Sequence, residues 1–195
     1  MLFRSGKQIN VEKFEALLYN GAAKGTAQIV WGGPWSLEGE VATERVKMQD
    51  LMEAFTHDAR CSGHLEAQMR YSMSSSSLAT LFDSPKVDGP FNIKKGDLDG
   101  VDLVRALQSG GRGVTQGGAT RFEEISGNLA LANDRYQYRN MKLQAGLLTS
   151  AGSFDVSPGK DVSGRITVEL RSQAAQIRGN FNVNGELKAI ALRPN

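Results

Sequence analysis

The sequence predicts a mainly β protein: repeated antiparallel hairpins forming a strongly twisted, curled sheet or groove, with a few short helices. Three observations carry this. Apolar residues recur at every second position over long stretches, as in Leu65, Ala67, Met69, Tyr71 and Met73. Twenty-two glycines and few helical stripes suit a chain rich in hairpins. One strand unit occurs twice, near the two ends of the chain.

The first copy of that unit runs Phe14–Tyr19, Asn20-Gly21, Gly25–Trp31 and Leu37–Val41; the second runs Leu143–Leu148, Thr149-Ser150, Gly152–Val156 and Val162–Ile166. Phe14 aligns with Leu143, Ala16 with Ala145, Gly25 with Gly152, Ile29 with Val156 and Gly39 with Gly164. The offset falls from 129 to 127 to 125, as expected if the turns shorten while the strands persist.

Val162, Gly164, Ile166, Val168 and Leu170 alternate with polar residues, as do Gly179, Phe181, Val183, Gly185 and Leu187. Such one-sidedness indicates antiparallel strands with one wet face. The register places Leu65, Met69, Ile166, Val168, Phe181 and Val183 on the apolar side, with Arg70, Arg165, Glu169 and Asn182 on the other. Asn20-Gly21 reads as a two-residue hairpin turn, and Gly32-Gly33-Pro34 breaks the pairing between Trp31 and Trp35. Met48, Leu51, Met52 and Phe55 form one apolar stripe of a two-turn helix. Further short helices are expected at 101–108 and, with Ser77 as cap, at 77–82. Val41–Phe55 and Ile93–Leu107 run parallel at an offset of 52, each a strand, a polar bend, Asp-Leu and a short helix. The glycine-rich stretch 109–118 reads as a flexible connection inside one repetitive domain spanning 1–195.

Composition narrows the function. A net charge of +2 gives no footprint for nucleic acid. No run of 18 apolar residues occurs, and Arg4 and Lys7 interrupt any secretory-signal pattern at the start. Cys61 is the only cysteine, which excludes an internal disulfide.

The chemical motifs fall away one by one. His57, Cys61 and His64 match no zinc spacing and lack a fourth partner, so no metal is expected. Gly111-Arg-Gly113 follows a helix and precedes a strand, the reverse of a phosphate-binding loop. Asp97 and Asp99 sit in a turn and Asp102 at a helix start, with no base or metal ligand at a recognisable spacing. The chain reads as non-enzymatic and without a cofactor.

The apolar strand faces remain. Each residue there has two readings, plain core or the lining of a groove. Three short helices can shield only part of so wide a sheet, so the rest is closed by curling, by a partner or by an apolar ligand. The candidate groove residues are Ala27, Ile29, Trp31, Leu65, Met69, Leu143, Phe154, Ile166, Val168, Phe181 and Val183.

Four segments, in order, are similar to the C-terminal region of AsmA-like proteins: Leu18-Tyr-Asn-Gly21 with Gly25; Phe91-Asn-Ile93 leading into Leu98–Leu103; Thr120-Arg-Phe122 leading to Ile125-Ser-Gly127; and Phe181–Leu187. The resemblance implies a C-terminal portion of a longer periplasmic protein, held at the inner membrane by a segment outside this sequence. It implies β-hairpins curled into an apolar groove, phospholipid or another acyl-chain lipid as partner, and a role in outer-membrane biogenesis. It carries no catalytic residues. An alternative function is an assembly module that offers a sheet edge to strands of outer-membrane proteins. Envelope proteins are then the partners, and nucleic acid is not.

Overall fold

The computed structural model describes residues 2–55, 60–110, 113–173 and 175–195. Thirteen strands form one sheet: β1 (Leu2–Ser5), β2 (Gln8–Leu18), β3 (Gly21–Val30), β4 (Trp35–Lys47), β5 (His64–Ser75), β6 (Lys86–Asp99), β7 (Thr115–Gln116), β8 (Ala119–Ala132), β9 (Arg135–Ala145), β10 (Leu148–Val156), β11 (Asp161–Arg171), β12 (Gln176–Glu186) and β13 (Ala189–Pro194). Among the described residues two α-helices, α1 (Met48–Phe55) and α2 (Leu103–Gln108), interrupt it. The strands follow chain order as an antiparallel meander, save that β7 is carried past β8–β12 to pair with β13. The sheet is open, with β1 and β7 at its margins.

The alternating residues fall on the two faces as expected. Val46, Leu65, Ile93, Ile125 and Leu143 stand opposite one another across β4, β5, β6, β8 and β9, one continuous apolar row. Arg70 and Arg165 are exposed on the other face, with Glu169 and Asn182 half-buried there. Ion pairs across that face, such as Arg70–Asp88 at 3.1 Å and Lys94–Glu66 at 2.8 Å, are exposed and screened by solvent, so they add little to stability.

The repeated unit is more regular than its sequence suggests. Phe14 pairs with Gly25 and Ala16 with Ala23; Met141 pairs with Gly152 and Leu143 with Ser150. One offset of 127 thus relates β2–β3 to β9–β10, and Phe14 corresponds to Met141 rather than Leu143. The apparent 129 is a two-residue slip, which leaves the same face inward and so escapes an alternation pattern. The next strands match at 125: Gly25 faces Val41 as Gly152 faces Ile166, and Ala27 faces Gly39 as Phe154 faces Gly164. Both copies carry a bulge at the same place, between Val11 and Phe14 on β2 and between Tyr138 and Met141 on β9.

The turns also sit away from the expected positions, by one residue in the first copy and by three in the second. Leu18 pairs with Gly21, so Tyr19-Asn20 form the turn, with φ of 47° and 60°. That is the primed geometry Asn tolerates. Gly21 is required for space instead, since a Cβ there would lie 2.5 Å from the Val46 nitrogen. In the second copy the turn is Gly146-Leu147, and Thr149-Ser150 belong to β10.

Helix α1 spans the expected stripe. Helix α2 starts at Leu103 because the Asp102 side chain accepts from the Arg105 N–H at 2.9 Å, while Val101 bridges to Gly117. The parallel at an offset of 52 holds only as strand followed by helix: Asp50 lies inside α1, whereas Asp102 caps α2. The segment expected at 77–82 contracts to a 3-10 turn, Leu78–Thr80, and the Ser77 hydroxyl makes no cap bond. Within the stretch 109–118, Thr115 and Gln116 form β7, where Thr115 is buried and pairs with Leu192. A strand pairing with a distant partner leaves no trace in local composition.

The core is lopsided. Its main cluster of buried side chains runs from Ile93 to Leu192, with Leu103, Ala106 and Leu107 of α2 packed among them. Helix α2 touches β8, β11 and β12. No side chain of β2, β3 or β4 belongs to that cluster, although Ala23 on β3 and Val46 on β4 are themselves buried.

Candidate functional site

Cross-strand pairing assembles the candidate face from the residues upward. In β2–β5 one row joins Val11, Ala27, Gly39 and Tyr71, and the next joins Ile9, Ile29, Leu37 and Met73. A third joins Phe14, Gly25, Val41 and Met69. All twelve are half-buried. Gly39 leaves a gap on this face that the Tyr71 ring fills, its hydroxyl donating to the Thr26 carbonyl at 2.9 Å. Trp31, just past β3, stacks on Trp35 with ring centroids 6.1 Å apart, and closes one end of the face. The structure therefore brings Ala27, Ile29, Trp31 and Met69 together on an apolar surface outside the main core.

The remaining candidates lie elsewhere on the same side of the sheet. Leu143, Val168, Phe181 and Val183 are buried in the core, with Val168 at 0% exposure. Such positions are dry and belong to packing, not to an open groove. Leu65, Phe154 and Ile166 are half-buried against that core. Phe154 stacks on Tyr138 at 4.6 Å, and Tyr138 meets Phe91 edge to face. Helix α2 separates the two groups, because its buried side covers the C-terminal half of the face alone. Alternation assigned the face of each residue, but it carries no signal for where a short helix will lie across a sheet.

The whole surface reflects this. The chain exposes 11772 Å² at a mass of 21.1 kDa. A compact monomer of that mass exposes about 9,000 Å². The surplus matches a sheet whose N-terminal half has a single layer.

Chemistry is sparse on either face. Cys61 is half-buried, bridging to Leu98, and burial, with the Asp99 carboxylate second, pushes its thiol up to about 12. It stays protonated at neutral pH and is neither a thiolate nucleophile nor a ready metal ligand. His64 is exposed on β5, and His57 lies outside the described residues. Among the described residues no group of three His, Cys, Asp or Glu side chains could hold a metal ion. Asp97 pairs with Arg121 at 3.0 Å. The described helices include none long and apolar enough to cross a membrane.

One further feature was not visible in the sequence pattern. Among the described residues β1 covers only Gln8–Val11 of β2, so the outer edge of β2 from Glu12 to Leu18 has no strand partner. Leu17, on that edge, is 92% exposed.

No family model matches the chain, and no curated protein or solved structure does either.

Proposed function

We propose that the chain is a non-enzymatic lipid-binding or lipid-conducting segment, in which acyl chains lie along the apolar face of β2–β5. A single observation carries the reading: an unbroken set of apolar rows, around Ala27, Ile29 and Met69, has no share in the buried core. Each methylene transferred from water to such a surface gains about 0.8 kcal/mol, so a trough needs few hydrogen bonds to hold a tail. The compartment follows from the resemblance alone: a periplasmic segment of an inner-membrane-anchored protein acting in outer-membrane biogenesis, with phospholipid or another acyl-chain lipid as cargo.

The test is extraction and mass spectrometry of lipid after detergent-free purification, paired with thermal melting. Ala27→Asp, Ile29→Asp and Met69→Asp should stay folded and lose lipid several-fold. Normal loading in all three variants rejects the reading.

A second reading has its own observation in the open outer edge of β2. Pairing of a partner's strand there, as in an assembly module for outer-membrane proteins, is supported if the purified chain carries no lipid and Phe14→Pro abolishes capture of a strand-forming peptide.

A further inference from the structure

The duplicated unit inverts its charge on the polar face. In the first copy Glu12, Thr26 and Glu40 stand side by side across β2, β3 and β4; Thr26 pairs with Glu40, and Glu12 occupies the bulge beside them. The corresponding residues of the second copy are Arg139, Ser153 and Arg165, with Ser153 paired to Arg165 and Arg139 in the β9 bulge. Both acids have become arginines, and a hydroxyl residue is kept between them. Each row borders an open concavity, of about 520 Å³ in the first copy and about 700 Å³ in the second.

The backbone beneath the two rows is the same to a fine level. A Cβ at Gly25 would meet the Glu40 carbonyl at 2.1 Å, and one at Gly152 would meet the Arg165 carbonyl at 2.2 Å. Gly39 stands likewise to the Thr26 carbonyl at 2.1 Å, and Gly164 to that of Ser153 at 2.3 Å. The carboxylates of one row and the guanidiniums of the other are therefore carried at matching spacing, two strands or about 10 Å apart. The side chains of Glu12, Glu40 and Arg165 are exposed and have no ionic partner among the described residues. Arg139 is held in place by Asp155 at 2.5 Å and by the Phe154 carbonyl at 3.2 Å. Within one molecule the rows cannot meet, because β5, β6 and β8 lie between them in the sheet.

We infer that the polar face is a self-association surface, on which the Glu12–Glu40 row of one copy pairs with the Arg139–Arg165 row of another. The partner is a second copy of this chain, because the surface that complements each row in charge and spacing is the other row. Opposed charges on exposed strands bind weakly and are screened by salt, so the association belongs to low ionic strength and high local concentration. It uses the face opposite the apolar rows and does not depend on what those rows bind.

Sedimentation velocity of the purified chain tests this. Concentration-dependent assembly is expected at about 20 mM salt and loss of it at about 500 mM, where the screening length falls to a few ångströms. E12R/E40R and R139E/R165E should each be monomeric at low salt, with association weakened tenfold or more. Arg165→Glu alone serves should loss of the Arg139–Asp155 pair unfold the double variant. The decisive arm mixes E12R/E40R with R139E/R165E, or with R165E, in equal amounts: the altered rows again carry opposite charge, and heteroassociation should return. A monomer under every condition overturns the inference, as does assembly indifferent to salt and to both variants. Silence in the mixture, when the parent chain associates, overturns the row-to-row pairing.

Discussion

Two residues on one side of the sheet define how burial divides the molecule. Val168 has no exposure, so Val168→Asp places an uncompensated charge in the core. A loss of several kcal/mol, on the order of the whole stability of a domain, is expected, and a melting curve without a cooperative transition would show it. Ala27 occupies an equivalent face but is half-buried, and Ala27→Asp should cost no more than about 1 kcal/mol. Equal destabilisation by the two would mean that the N-terminal face is as dry as the C-terminal one. Cys61 and Tyr138 give a test by pH. Burial pushes both up to about 12, so the folded chain keeps protons that the unfolded chain releases from about pH 9 upward. Their contribution is intact below that range and shrinks as pH rises toward 12, so the denaturation midpoint should be lower at about pH 10.5 than at about pH 8. The thiol should also react slowly with alkylating reagents until the chain is unfolded.

Elements were legible in the sequence to the extent that their signal is local. The alternation of Leu65 to Met73 and of Val162 to Leu170 fixed both strands and faces, because a period of two is a direct consequence of the pleat. The stripe Met48–Phe55 marked α1 for the same kind of reason. The first turn failed by one residue, since Asn20 can occupy either place in a primed turn and Gly21 is demanded by the nearby Val46 backbone, a tertiary contact; the second failed by three, with Gly146-Leu147 in place of Thr149-Ser150. Alternation put the candidate residues on one side of the sheet but carried no signal for their burial: Ala27, Ile29, Trp31 and Met69 lie outside the buried cluster, while Leu143, Val168, Phe181 and Val183 are buried in it. The Asp102 cap is the local feature on which α2 starts. Asp102→Ala removes the bond to the Arg105 N–H and should cost about 1 kcal/mol, read as a shift in denaturant midpoint with an unchanged slope. An unchanged midpoint would mean that the packing of Leu103, Ala106 and Leu107 alone holds α2.

On the scale of the whole molecule, stability should be graded along the sheet. Buried contacts concentrate between Ile93 and Leu192, and β2–β4 are held chiefly by their ladders and a half-buried face. Native-state hydrogen exchange should therefore show β2–β4 opening at lower free energy than β8–β12. Uniform protection across all strands would contradict a one-sided core.

The crossing of α2 and β7 also sets an order of events. Strands β2 to β6 each pair with the strand just before them, so that part of the meander can be laid down hairpin by hairpin as the chain emerges. Gln116 and Thr115 must wait, because Ala191 and Leu192, their partners, are made only after β8–β12. Until then α2 has no finished floor and the apolar face beneath it stays open to solvent. Closure of this long loop is the step of highest entropic cost, and it comes last. A nascent chain halted before β13 should accordingly be bound by chaperones that recognise exposed apolar strands, and released once Ala189–Pro194 becomes available.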